Sequence, residues 1–404
     1  MGFSQGLSGL NAASAGLDVI GNNIANSATV GFKAGSAVFS DVFASSRIGM
    51  GVQVSGISQR FSAGTISSTN NELDMAIDGQ NGFFRLQDTD GSILYSRNGQ
   101  FFENENHQIV NIQGHVLTGY PAGAVGADPV PLSIPSSNIA PQATDSLAAN
   151  LNLDANEPVI DPALKPFDPT DSSTFSDSTP MTVYDSLGNS HVLTQYFIKR
   201  SGSQGTASNW EVQYALDGKH VPGNAQALTF DTSGRMTSPI AQVSKGFADP
   251  GGDDSPAADL NISFNYGGSS QYGGKFRYDM LQNGYQSGEY VRVSLAADGR
   301  LMAQYSNDKS QEIGTVVLAD FNNLQGLQAA GGNAWMETVS SGPAVLGQPG
   351  SNGLSLLVGQ AVEASNVDMG QELVNMIIAQ RTYQANAQTI KTQDGIMQTL
   401  VTMR

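Results

Sequence analysis

Apolar residues recur at alternating three- and four-residue steps at both extremes of this chain, and that pattern constrains its fold more than any other feature. At the N-terminus Phe3, Leu7, Leu10, Leu17 and Ile24 keep the rhythm, with Ser14 and Gly21 as weak members. At the C-terminus it runs through Met369, Leu373, Met376, Tyr383, Ala387, Ile390, Met397 and Val401, interrupted by Gln380 and Asp394. Such spacing aligns side chains along one helix face and, over about three heptads or more, forms the seam of a coiled coil. A pair of ordinary amphipathic helices on a globular core shows the same period. Stripes at opposite ends pair only if the chain returns to its start, so the material between them is expected to be nested, domain within domain.

That material reads as β structure. No proline occurs in residues 1–120, ten lie between Pro121 and Pro180, and none follows Pro349. The proline-rich stretch is therefore expected to hold extended connections and strand edges rather than helix. Alternating runs bounded by turn residues predict hairpins. Phe83 to Gln87 and Ile93 to Ser96 flank Asp88-Thr89-Asp90-Gly91. Met181 to Tyr184 and Val192 to Lys199 flank Asp185-Ser186-Leu187-Gly188-Asn189. Further runs cover Trp210 to Leu216, Leu228 to Phe230, Tyr290 to Leu295, Leu301 to Tyr305 and Ile313 to Leu318. The expected fold is mainly β with α-helical termini, built of nested, discontinuous antiparallel domains.

Composition narrows the function. Charged residues are 14% of the chain, well below the roughly 25% of an ordinary soluble domain. A polar, weakly charged surface can be covered by neighbouring copies without desolvating many charges; a secreted β-rich protein would share it. The net charge of −17 opposes nucleic-acid binding, which needs clustered Lys and Arg. Residues 121–289 hold 18 acidic against 8 basic side chains, whereas the first 32 carry only Asp18, a layout of solvated middle and buried ends. The absence of cysteine removes disulfides, thiolate metal sites and cysteine nucleophiles together. The start has neither a basic n-region nor an apolar h-region, and no stretch reaches the ~18 apolar residues of a membrane span. The expected location is either cytoplasmic or reached by export without N-terminal cleavage.

No catalytic or cofactor-binding pattern stands out. His107, His115, His191 and His220 are scattered beside turn residues and are expected at the surface or at strand edges. Asp88-Thr89-Asp90-Gly91 shares part of a calcium-loop pattern, but no bidentate Glu follows at the required distance, so a tight turn is expected. No metal, no cofactor and no enzymatic role are expected.

Three long motifs carry a family resemblance. Gly9-Leu10-Asn11-Ala12-Ala13, Leu17-Asp18-Val19-Ile20-Gly21-Asn22-Asn23-Ile24-Ala25-Asn26 and Gly31-Phe32-Lys33 resemble the N-terminal signature of flagellar rod and hook axial proteins. So do Leu73-Asp74-Met75-Ala76-Ile77-Asp78-Gly79, Gly82-Phe83-Phe84 and Tyr95-Ser96-Arg97-Asn98-Gly99-Gln100-Phe101. Glu363-Ala364-Ser365-Asn366-Val367-Asp368, Glu372-Leu373-Val374 and Ala379 through Lys391 complete the match. Glu103-Asn104-Glu105-Asn106 departs from the tighter turn of the family. Length and the long middle insertion are similar to hook rather than rod members; a distal rod subunit and a secreted adhesin are the alternatives.

The resemblance implies helical termini, 1–32 and 363–404, paired as an inner coiled-coil tube around an export channel. It implies a connecting segment, 33–70, an inner β domain, 71–145 with 289–362, and an outer β domain, 146–288. The polymer would be a curved, flexible tube, a universal joint between motor and filament outside the cell. The implied partners are further copies of the chain, rod proteins, a hook cap scaffold, a length-control protein, a hook–filament junction protein and the flagellar type III export apparatus. Phe32, Val38, Phe39 and Phe43 lie in the connecting segment and are expected either to pack between neighbouring subunits or to cap their own β core.

Burying the five large N-terminal stripe residues is worth roughly 10 kcal/mol gross, whereas ordering some 25 residues costs about 1–2 kcal/mol each. Gly21, Asn22 and Asn23 weaken the helix further. The termini are therefore expected to be largely disordered before assembly. In amide hydrogen exchange on the unassembled chain, residues 3–24 should exchange like unfolded peptide; protection throughout would contradict this.

Overall fold

Hairpins form where alternating apolar residues meet a turn residue free to take positive φ. In the computed structural model, which describes residues 2–42, 51–202, 208–252 and 255–402, strand Phe83–Gln87 pairs antiparallel with Ile93–Ser96. Gly91 closes their turn at φ +88°. Asp88 accepts from the Thr89 backbone N–H and Asp90 from that of Ser92, so both acids complete the turn. Asp177–Tyr184 and Ser190–Arg200 pair in the same way across Asp185–Asn189. The Glu103–Asn106 stretch also makes a hairpin, joining Phe102–Glu103 to Ile109–Val110. There Asn104 Oδ1 accepts from the backbone N–H groups of Asn106 and Gln108, and His107 takes φ 58°.

The chain divides into two compact units. The terminal unit comprises Met1–Ser136, Val291–Gln304 and Ser310–Arg404; the insert unit comprises Ser137–Tyr290 and Tyr305–Lys309. In the terminal unit, one sheet runs Arg300–Tyr305, Ser310–Val316, Val116–Pro121, Phe83–Gln87, Ile93–Ser96, Ala334–Met336, Gln328–Gly331. Three early segments lie between two pairs of late ones in that order, which is the nesting expected of a discontinuous domain. Two short ladders repeat it: Met75–Asp78 with Leu356–Gly359, and Ile66–Ser68 with Ala361–Glu363. The core contains an aromatic cluster in which Phe83, Tyr95, Phe321, Trp335 and Phe61 meet edge to face, with centroids 4.8–6.1 Å apart.

Helix α1 (Gly2–Ala25) and helix α2 (Met369–Thr402) belong to this unit and pack on each other. Asp368 caps α2, accepting from the Gln371 N–H at 3.1 Å, and Glu372 places an acid in the first turn.

The insert unit is two sheets over one core. The first runs Asp177–Tyr184, Ser190–Arg200, Ser208–Leu216, Gln226–Phe230, Met236–Ser238, antiparallel throughout. The second centres on Ser146–Asp154, whose buried residues alternate with period two. Leu147, Leu151 and Leu153 thereby meet Phe197, Trp210, Phe230 and Phe264 in the core. This strand corrects the antiparallel expectation. It runs parallel to Leu260–Asn265 and to Ser270–Tyr272. A parallel pair needs a long crossover, and the whole first sheet lies in the connection.

Two compact units should unfold in two transitions. Phe264→Ala removes a fully buried ring 5.0 Å from Tyr214 and should cost the insert transition about 3–5 kcal/mol, leaving the other unmoved in denaturant titration.

Candidate functional site

On α1, small residues rather than the large stripe residues make the contact with α2, where Ile390 and Asn386 receive them. A Cβ on Gly6 would stand 3.0 Å from Ile390 Cγ1, and one on Gly9 2.8 Å from Asn386 Nδ2. Ala12 and Ala13 continue that face and are buried. Close approach of two helices requires such residues, because any larger side chain would hold the backbones apart.

The stripes consequently lie elsewhere. Phe3 is 54% exposed, Leu7 46%, Leu373 46% and Met397 60%, and Tyr383 is exposed too. Leu10, Leu17, Ile24, Met376, Ala387 and Ile390 are half-buried, and of these Ile390 reaches α1. The side chain of Val401 lies outside the described residues. The structure also exposes Val374, Ile377, Ile378 and Ile396, each at least half. The run Leu373-Val374-Asn375-Met376-Ile377-Ile378 is apolar nearly all round, a composition suited to a helix covered on several sides.

A two-stranded hairpin, Gly35–Asp41 with Val52–Gln59, lies along α1. Asn23, buried near the end of α1, donates to the Gly35 carbonyl at 2.8 Å and accepts its N–H at 2.9 Å, so one side chain substitutes for a strand. That bond gives a reason for an asparagine at a helix position where propensity disfavours it. Of the connecting-segment aromatics, Phe39 lies over Gly16, with its Cζ 3.7 Å from where a Cβ would stand, while the residue stays 45% exposed. Val38 is exposed, Phe32 is half-buried, and Phe43 lies outside the described residues. Gly9, Ala12, Ala13, Ile20, Phe39 and Val52 line a groove of about 590 Å³ between the helices and the hairpin.

Below the helices the two ends of the chain are joined by a buried charge cluster. Lys33 Nζ lies 2.6 Å from Glu363 Oε1, and Arg97 Nη1 3.2 Å from Glu363 Oε2; all three side chains are within 1% of complete burial. Burial pushes the Lys33 pKa below the ordinary lysine value, opposed by Glu363 and reinforced by Arg97. Several nearby backbone groups are recruited to offset desolvation, although Arg97 Nε is buried without a partner. Lys33 donates to the Ser62 carbonyl, Gly64 N–H to Glu363, and Arg97 to the carbonyls of Gly79 and Gln80, with its guanidinium 5.2 Å above the Phe83 ring. Asn366 binds the adjacent backbone, accepting from Ala34 N–H and donating to the Arg60 and Ser62 carbonyls. Gly31, at φ +71°, allows the close approach: a Cβ there would stand 2.6 Å from Asn98 N. Lys33, Arg97, Glu363 and Asn366 all fall in the three sequence motifs, yet no spacing pattern singled them out.

Among the described residues no group of His, Asp and Glu is arranged to hold a metal, and no helix is long and apolar enough to cross a membrane. One histidine corrects the surface expectation. His191 is 6% exposed, with ring nitrogens facing Asp185 and Asp217.

Comparison with known proteins gives a consistent result. Residues 5–33 match the flagella basal body rod protein family, 76–155 the flagellar hook protein FlgE/F/G D1 domain, 152–285 the flagellar basal body protein FlaE D2 domain, and 358–403 the flagellar basal body rod FlgEFG protein C-terminal family. The chain is 44% identical to the flagellar hook protein FlgE of Escherichia coli strain K12 over 417 residues, covering both chains completely. The same identity relates it to that of Salmonella typhimurium over 416 residues, again with full coverage of both. With that of Brucella suis it shares 30% over 410 residues, 99% of this chain and 98% of the other. A crystal structure of the Helicobacter pylori flagellar hook protein FlgE2 superposes with a TM-score of 0.54 at 13% identity, covering 74% of this chain and 99% of that one.

Removing the carboxylate should leave two buried cations unpaired, whereas removing one cation leaves a matched pair. Glu363→Gln should therefore destabilise the terminal unit by about 3–5 kcal/mol. Lys33→Met should cost clearly less; equal losses in denaturant titration would contradict the cluster's charge balance.

Proposed function

Since the chain belongs to the flagellar hook protein family and is a structural, axial subunit of the flagellar hook, we propose that its two terminal helices are the polymerisation element. The observation that carries this reading is the division of labour on those helices. The small-residue face of α1 packs on Ile390 and Asn386 of α2 within the subunit, and the exposed apolar side chains, with Phe3, Leu7, Leu373, Ile378 and Met397, are left for other copies. In this reading the helical conformation of the termini is that of the assembled subunit. Covering these half-exposed side chains supplies on the order of 10 kcal/mol per subunit, enough to offset the cost of association only when several copies contribute at once.

In this reading Phe3, Leu7, Leu10, Leu17 and Ile24 on α1, and Leu373, Met376, Tyr383, Ala387, Ile390, Met397 and Val401 on α2, form coiled-coil contacts of an inner tube. Residues 1–32 and 363–404 make its wall, 71–145 with 289–362 an inner β layer, and 146–288 an outer one. Phe32, Val38, Phe39 and Phe43 pack between neighbours: a two-stranded hairpin is marginal alone in water, and the exposure of Val38, Phe39, Val54 and Ile57 suits a second partner. Weakly charged outer surfaces exchange hydrogen bonds with water at low cost as a curved tube turns. Tube curvature and flexibility make the universal joint. The subunit reaches the cell exterior through the flagellar type III apparatus and meets rod proteins, a cap scaffold, a length-control protein and a junction protein. It carries out no catalysis.

Polymerisation tests this directly. The full chain should form bent tubes in electron microscopy, and a chain lacking residues 370–404 should form none. Polymers from the truncated chain would remove the helices from the assembly role.

A further inference from the structure

One ring in the insert unit touches two acids, and this has no place in the assembly reading above. His191 Nδ1 lies 2.8 Å from Asp217 Oδ2 and Nε2 3.4 Å from Asp185 Oδ2. A neutral imidazole carries one N–H and donates to one acceptor only; a ring with a carboxylate oxygen at each nitrogen matches the imidazolium.

Each contact ties a separate loop. Asp185, fully buried, organises the 185–189 turn by accepting from Leu187 N–H, Asn189 N–H and the Asn189 side chain. Asp217, at φ 49°, accepts from Val192 N–H at 2.8 Å and heads the next turn. The third loop, 248–252, lies against the ring, with His191 Cε1 3.6 Å from where a Cβ on Gly251 would stand. Among the described residues, the carboxylates at the ring are Asp185 and Asp217 from the two turns, and near Asp217 stand Lys219, His220 and, from the third loop, Asp249. The last three line a cavity of about 370 Å³ together with Asp217.

We propose that the His191 imidazolium is a pH-dependent fastener that holds these three loops at one corner of the insert unit. Its loss of a proton removes one of the two carboxylate bonds and leaves a buried acid facing a ring lone pair. The corner then loosens, beginning with the 217–222 turn and the 248–252 loop, and the surface that the insert unit presents changes with external pH.

Burial disfavours the charge on His191, but its bonds to Asp217 and Asp185 outweigh that and raise its pKa above the ordinary 6.5. With the folded value above the unfolded one, the stabilisation is complete below pH 6.5 and is lost as pH rises through the folded pKa. Asp177, which burial and the neighbouring Glu157 and Asp154 push up to about 6, also loses stabilisation with rising pH, but between 3.8 and about 6. Its effect is common to all variants below.

The test is a pH series on the full chain. The His191 ring is followed by NMR, and the unfolding of the insert unit by calorimetry. The ring should titrate above pH 6.5, the insert transition should fall in temperature as pH rises through that midpoint, and His191→Gln should abolish that fall. Asp217→Asn, at a 43% exposed side chain, should fold and move the ring midpoint downward, so the proposal stays testable if His191→Gln fails to fold. A ring titrating at or below 6.5, an unmoved midpoint in Asp217→Asn, or the same loss in His191→Gln would each overturn it.

Discussion

The buried contact of Glu363 with Lys33 and Arg97 is the interaction on which the terminal unit depends. Its partners come from the first tenth of the chain, from the bend just after the Ile93–Ser96 strand and from the segment leading to α2; Lys33 and Glu363 are separated by 330 residues. A surface ion pair between such distant segments would be worth little. Buried, the same charges must be kept together or exposed to a large desolvation penalty, so the cluster acts less as glue than as a condition on where the ends can be. The excess of one positive charge explains why so many carbonyls converge on it.

Above the cluster, the helices illustrate how one sequence can satisfy two partners. Gly6, Gly9, Ala12 and Ala13 bring α1 against α2, and Asn23 fastens its other end to the hairpin. Apart from Ile390, which receives Gly6, large apolar residues such as Phe3, Leu7, Leu373 and Met397 stay exposed. A helix pair that buried its large residues internally would be a more stable subunit and a poorer building block. If other copies cover those side chains, as proposed, much of the stability of the ends comes from assembly.

Much of this was legible in the sequence wherever the cause is local. The turns at Asp88–Gly91 and Asp185–Asn189 depend on residues within a few positions of each other, and their flanking strands begin and end close to the expected limits. The apolar period at both ends fixed the presence of helices. It did not fix which face pairs within the chain, because the heptad rule reads large residues and on α1 the contact is made by small ones. The parallel ladder of Ser146–Asp154, the charge cluster and the His191 site were hidden for a shared reason. Each joins residues through a topology that spacing does not record: His191 next to a turn looks exposed until Asp217, 26 residues on, folds over it.

The central claim is that the exposed face of α2 is covered by other copies. The chain has no cysteine, so a single Leu373→Cys substitution gives one thiol on that face. Thiol labelling should be fast in the unassembled subunit and blocked in the polymer, while a Cys at the exposed Ile240 of the insert unit reports whether polymers admit the reagent. Labelling of Leu373→Cys at the same rate in subunit and polymer would contradict the account.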